Sequence, residues 1–449
     1  MIRSGICSLA AVSVVALVAC PAAGAISPPS VDPQAPPPPG SAGPAQPMAQ
    51  RSACTATSVL PGSDPGVAGQ NQLALNLSDA WRHSRGEGQT VAVIDTGVQP
   101  GPRLPNVEPG GDFVESTDGL SDCDGHGTLV AGLIAGQPGS DGFSGVAPAA
   151  RLISIRQTSA KFSPRTPSGD PEVSRAASDV SSLARAVVRA ADLGARVINI
   201  SAITCVPANK NIDQTELGAA LQYAAVVKDA VIIAAAGNNR GGLATGAACE
   251  SNPVNGNWST VTSISIPSWW QQYVLSVGSL TATGAPSDFT MAGPWLGIAA
   301  PGENVASVSN APGGGLANAL PNDQQELYPI VGTSYAAAYV SGVAALVRSR
   351  FPELNATQVL RRLTETAHGA AQSPSTMVGA GSVDPVAALT WQVSPVDPDT
   401  PQSKQIAAPP PPAAENPLPR IIAFAGTGAL ALVVLATAVI AHRRKDVTP

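Results

Sequence analysis

Gly88-Gln89-Thr90-Val91-Ala92-Val93-Ile94-Asp95-Thr96-Gly97 is the stretch that decides the fold. Its centre, Val91–Ile94, is apolar at every position and lacks the alternation of a strand with one wet face. A run of this kind is a strand buried on both faces, as in a parallel sheet covered by helices. Asp95 ends it, and open α/β sheets carry ligands and reactive groups beyond the carboxyl ends of their strands. Outward from there, similar runs recur at Leu152-Ile153-Ser154-Ile155, Val197-Ile198-Asn199-Ile200, Val231–Ala235 and Val274-Leu275-Ser276-Val277. Helical patterns lie between several of them, including Val180–Leu193 and Leu217–Val227. Alternating strands and helices predict an α/β domain over residues 71–392, a parallel sheet flanked by helices on both faces. Ahead of the first strand, Leu73–Leu77 and Ala80-Trp81 suggest one short helix across Gln72–Trp81.

The ends of the chain read differently from its middle. Met1-Ile2-Arg3 precedes an apolar run, and Ala23-Gly24-Ala25 offers a small-residue cleavage site, so residues 1–25 read as a secretory signal peptide. Leu17-Val18-Ala19-Cys20 also resembles a lipoprotein cleavage box with Cys20 as the lipidated residue. Residues 26–70 begin with a tract of Pro, Ala, Gly, Ser and Gln that cannot bury a core of its own, and read as an extended arm. Residues 393–419 form a second proline-rich linker. From Ile421 to Ala441 the chain carries no charge, enough to cross a hydrocarbon core of about 30 Å, so residues 420–441 read as a transmembrane helix. His442-Arg443-Arg444-Lys445 follows, and positive charge marks the cytoplasmic side, which makes 442–449 a cytoplasmic tail and places the body outside the cytoplasm. The net charge of −6, with no basic block in mid-chain, excludes nucleic acid as a partner. Of six cysteines, Cys7 and Cys20 lie in the signal region; Cys54, Cys123, Cys205 and Cys249 remain for two disulfides, with three pairings open.

Three short motifs carry the chemistry. Asp95-Thr96-Gly97 is weak alone, since a carboxylate-dyad protease would need a second copy and there is none. Asp124-Gly125-His126-Gly127-Thr128 sets a histidine between glycines ahead of an apolar helix, Leu129–Ile134, and glycines let a backbone approach the ring closely. His83, His368 and His442 have no such setting. Gly332-Thr333-Ser334-Tyr335-Ala336 runs straight into an Ala- and Val-rich helical segment, which puts Ser334 at a helix N-terminus. A serine there is either a helix cap or a nucleophile, and the second reading needs a base and a group to orient it.

With these flanks, the order Asp, His, Ser closely resembles the subtilisin-like serine proteases. The likeness extends through Gly145-Val146-Ala147-Pro148, Val197–Ser201, Ala235-Ala236-Gly237-Asn238 and Ala299-Ala300-Pro301-Gly302. It implies a subtilisin-like sheet and a Ser/His/Asp triad. Ser334 would attack the scissile carbonyl, His126 would take its proton and return it to the amine, and Asp95 would orient the imidazole. Asn238 would donate to the oxyanion, with Asn239 as the rival by position alone. Ser201, Ala202 and Ile203 would form an edge that pairs with an extended substrate. Where the family often has proline this chain has Ala338, a good helix former. Ile203 or its neighbours stand where many members have glycine, which implies a narrower pocket.

The whole arrangement, from signal peptide to basic tail, resembles the mycosins, membrane-anchored proteases associated with type VII secretion systems. In that family the arm wraps the catalytic domain. That implies Cys54–Cys123, tying the arm down near His126, and Cys205–Cys249, bracing the substrate wall and the loop after Asn238. The expected partners are a protein or peptide substrate and secretion-system membrane components. The alternatives are a structural subunit of the secretion complex and a general degradative surface protease. Two insertions, Ser159–Ser178 and Gly241–Gln272, read as exposed, the second with Trp258, Trp269 and Trp270 either packed under a loop or forming a rim. No carboxylate cluster reads as a calcium loop, so no metal and no cofactor is expected.

Overall fold

A computed structural model describes residues 26–166, 171–239, 248–322, 324–370, 374–393 and 418–445. The chain divides into two units, Met1–Ser394 and Pro395–Pro449. The signal-peptide reading of 1–25, the lipidation reading of Cys20, the tail beyond Lys445 and nearly all of the second proline-rich linker fall outside the described residues.

The first unit is built on a nine-stranded sheet: β1 (Thr90–Asp95), β2 (Val107–Asp112), β3 (Arg151–Arg156), β4 (Val197–Ile200), β5 (Val231–Ala235), β6 (Val274–Leu280), β7 (Leu296–Pro301), β8 (His368–Gly369) and β9 (Gly381–Ser382). Their order across the sheet is β8-β9-β7-β6-β5-β4-β1-β3-β2. Every neighbouring pair is parallel except β8 with β9. The apolar runs form the central strands, because a strand covered on both sides is mostly apolar; of the few polar residues, Ser154 and Asn199 are buried and hydrogen-bonded. Successive residues serve opposite faces. On β1, Val91 and Val93 join one buried cluster, and Ala92 and Ile94 the other.

Helices α1 (His126–Ala135) and α4 (Thr333–Arg350) cover the first face, and α2 (Pro171–Asp192) and α3 (Thr215–Gln222) cover the second. All ten residues of α1 are buried, which suits its lack of a polar side. Alanine at 338 leaves α4 unbroken, and the run of alanines lets it lie close to the sheet. Gly342 shows how close the packing is: a Cβ there would stand 2.5 Å from Val146 Cβ.

Two expectations need correction. The segment around Gln72–Trp81 is two short helices, Gln70–Ala74 and Leu77–Ala80, broken where Asn76 takes a left-handed φ of 46°. Ser159–Ser178 is mostly not an exposed loop. Phe162–Pro164 pairs as an antiparallel strand with Met48–Gln50 of the arm, and residues from 171 onward start α2. Its charged residues hid a strand whose partner lies far away in sequence. Trp270 is buried and Trp269 half-buried, both donating their indole N–H to Gln214 Oε1, so this pair packs under the loop.

The arm is fastened along its length. Arg185 donates to the carbonyl oxygens of Ser41 and Gly43, and Gly43 N–H donates to Asp112 O. Thr55 N–H donates to Cys123 O, and Asn310 Nδ2 reaches both Thr55 O and Asp122 O. Among the described residues, the second unit contains one helix, Leu418–Lys445, whose apolar stretch Ala423–Ile440 is long enough to cross a membrane.

Candidate active site

Asp95 closes β1 at the carboxyl edge of the sheet. His126 is the first residue of α1, entered through Gly125 at φ 80°, and Ser334 is the second residue of α4. Asp95 Oδ1 stands 2.7 Å from His126 Nδ1, with both side chains buried. The same oxygen accepts from Thr96 N–H at 2.7 Å. The two motif glycines meet across this pair: a Cβ on Gly127 would lie 2.0 Å from Gly97 O and 3.2 Å from Asp95 Cβ. Both short motifs thus need glycine, because their backbones touch where the carboxylate and the ring are brought together. Gly127→Ala is expected to cost about 1–3 kcal/mol or more of stability and to part Asp95 from His126. Thermal unfolding alongside active-site labelling checks this, and an alanine variant with unchanged melting and labelling would refute it.

Among the described residues, none hydrogen-bonds to His126 Nε2, which is buried. Burial works against the imidazolium, but the Asp95 charge and hydrogen bond, aided by Asp122 and Asp124, outweigh it and hold the ring above its ordinary value. The Tyr335 ring lies 5.4 Å from that of His126, tilted by 50°. The Ser334 hydroxyl faces another partner, donating to Ser201 O at 3.0 Å, while Ser201 Oγ donates to Ser334 O at 2.9 Å. Asn199 Nδ2 supports Ser201 Oγ, and Ser341 Oγ supports Asn199 Oδ1, so the two segments are cross-linked by side chains.

Asn238 follows β5 and lies against the residue before Ser334. Its Oδ1 accepts from both the N–H and the hydroxyl of Thr333, each at 3.1 Å. That fixes the amide plane and leaves Nδ2 as the free donor. Asn239 turns away and gives its Nδ2 to Asp288 O. Disulfides join Cys54 to Cys123 and Cys205 to Cys249. The second packs beneath Gly237, whose added Cβ would stand 2.8 Å from Cys249 Sγ, and Cys249 N–H donates to Asn238 O. Ser201–Ile203 is irregular backbone, and Thr204–Pro207 goes on to pair antiparallel with Ser263–Ile266.

One residue was missed by sequence reasoning. Asp122 is buried and accepts five hydrogen bonds: from Thr96 Oγ1, the N–H groups of Asp124, Gly125 and Thr128, and Thr128 Oγ1. Burial pushes its carboxyl up to about 6 against the pull of these donors. It caps α1 and ties the Asp95 loop to the His126 loop. The available signal was an acidic residue just ahead of a helix start, obscured by Asp124 inside the better-known motif. Among the described residues, no three His, Cys, Asp or Glu side chains converge as metal ligands would.

A buried carboxylate on one imidazole nitrogen, a free second nitrogen, and a serine at a helix N-terminus beside a fixed amide donor can together perform acyl transfer. The family model for the subtilase family matches residues 86–381. Mycosin-3 of Mycobacterium tuberculosis is 61% identical over the full length of both chains, and Mycosin-1 of Mycolicibacterium smegmatis is 44% identical over 96% of this chain and 97% of its own. The solved structure of the MycP3 protease from the type VII (ESX-3) secretion system is 73% identical, covers 82% of this chain and all of its own, and superposes with a TM-score of 0.79. A chain of an intact ESX-5 inner membrane complex is 44% identical over 93% of this chain and all of its own, with a TM-score of 0.78.

Proposed function

We infer the function from one premise: the chain belongs to the subtilase family of serine proteases, among the mycosins. The reading is a membrane-anchored endopeptidase that acts on or within a type VII secretion system. The observation that carries it is the buried Asp95–His126 pair with Nε2 left open beside the helix that bears Ser334. Substrate would compete for the Ser201 carbonyl, and the freed Ser334 Oγ would turn to His126. Its oxygen then attacks the scissile carbonyl carbon while the hydroxyl proton passes to Nε2. The carbonyl electrons become an oxyanion that Asn238 Nδ2 and Ser334 N–H hold. Collapse breaks the C–N bond, the amine leaves with the proton from His126, and water releases the acyl group by the same route.

Neutral imidazole is the working base, so a ring held above its ordinary value moves the acid limb of activity upward. The rate of fluorophosphonate labelling is expected to rise with pH through a midpoint above the free-histidine value of about 6.5. A midpoint at or below that value would contradict the Asp95 pairing.

Residues 1–25 act as the export signal, residues 420–441 as the membrane anchor, and residues 442–449, with Arg443-Arg444-Lys445, as the cytoplasmic tail. Two disulfides are consistent with a catalytic unit outside the cytoplasm. A second reading, a structural subunit, draws on the likeness to a chain of an ESX-5 inner membrane complex. Complementation of a deletion strain with Ser334→Ala separates the two. Loss of secretion favours proteolysis as the function, and normal secretion favours the structural role.

A further inference from the structure

Strand β1 with Asp95 lies between β3 and β4, so the segments leaving those two strands face each other across the catalytic carboxylate. Gln157–Ala160 follows β3, and Ser201–Cys205 follows β4. Between them opens a small cavity of about 90 Å³ with α2 on its third side. Ala202, Ile203 and Thr204 line one wall and Thr158 and Ala160 another, while Arg175 and Asp179 come from α2. Gln157 Nε2 donates to Asp179 O and to Ser182 Oγ, which holds the loop after β3 on the helix.

Asp179 is unusual among the acidic groups around the site. Among the described residues its one ionic contact is Arg175 Nε, at 3.8 Å from Oδ2, and no donor reaches its carboxylate. Asp95, Asp122 and Asp124, by contrast, each accept close hydrogen bonds. Burial pushes the Asp179 carboxyl up to about 6, with the Arg175 charge acting in the opposite sense. A half-buried carboxylate at the cavity wall, with one ionic contact this long, has room to accept a new cationic donor from a substrate.

We propose that Asp179 determines specificity by reading a Lys or Arg side chain of the substrate, at one position along Ser201–Ile203. The proposal rests on Ser201–Ile203 being the edge along which the substrate lies. Arg175 competes with the incoming cation for the same carboxylate, so it weakens the preference without removing it.

The test uses the full-length protein in detergent with peptide libraries varied one position at a time, each rate divided by that variant's own fluorophosphonate labelling rate. The wild type is expected to prefer Lys or Arg over Leu at a single position by about tenfold in kcat/KM. Asp179→Asn should collapse that ratio towards one, and Arg175→Ala should raise it. The opposite signs distinguish charge reading from a general loss of structure. Preference for a neutral residue at every position, or a ratio untouched by both variants, overturns the assignment and leaves the protease reading standing. Labelling without cleavage of any peptide would instead overturn the proteolytic reading on which the pocket depends.

Discussion

Ser334→Ala is expected to abolish fluorophosphonate labelling and to lower kcat/KM for peptide cleavage by about 10⁶-fold, a magnitude carried over from subtilisin. The hydroxyl supplies both the attacking oxygen and the proton that His126 accepts, and no neighbouring side chain replaces either. Ser201 is already committed, with its Oγ on Ser334 O. The fold should survive, since the lost bond to Ser201 O costs only about 0.5–1.5 kcal/mol. His126→Ala is expected to fall as far, and the double variant no further, because the two groups act as one unit. Labelling that persists in Ser334→Ala would mean that the probe reports another nucleophile. A fall well short of this for His126→Ala would mean that Asp95 and His126 do not serve Ser334, despite the 2.7 Å contact between them.

The central strands were legible in the sequence because burial on both faces leaves an uninterrupted apolar run, and Val91–Ile94 has one. The catalytic motifs were legible for a local reason: glycines at 97, 127 and 332 mark places where backbone must approach backbone or adopt a conformation closed to other residues. Gly332 has φ 155° and ψ 153° at the cap of α4. What escaped notice depends on partners distant in sequence. The strand Phe162–Pro164 has only two half-exposed residues and one buried one, and it exists because Met48–Gln50 arrives from the arm. Asp122 carries no motif of its own, and its role appears only when Thr96 and Thr128 converge on it. The direction of the Ser334 hydroxyl is equally invisible in sequence, because it turns on Ser201, a residue from a separate strand connection. The interruption at Asn76 was hidden for another reason: asparagine tolerates the left-handed region without the signature of a glycine.

Asn238→Ala is expected to lower kcat by about 10²–10³-fold, or about 3–4 kcal/mol of transition-state stabilisation, with KM nearly unchanged. Subtilisin supplies that magnitude too; the geometry here supplies the reason to apply it to Asn238. Its Oδ1 is held twice by Thr333, so its Nδ2 cannot swing away. A Cβ built on Gly332, two residues before the nucleophile, would stand 3.7 Å from that nitrogen. Thr333 is in turn fixed by Gly237 N–H, and the Cys205–Cys249 bridge packs behind Gly237. The donor is thus pre-positioned by bonds formed before substrate arrives, and the oxyanion interaction needs little rearrangement in the transition state. Asn239→Ala should leave kcat within a few-fold, since that amide is spent on Asp288 O. Asn238→Asp should be at least as damaging as alanine, because it replaces the donor by an acceptor facing the same developing charge. If Asn238→Ala instead raised KM and spared kcat, the amide would be binding ground-state substrate, and the oxyanion would be stabilised chiefly by the Ser334 N–H and the N-terminus of α4.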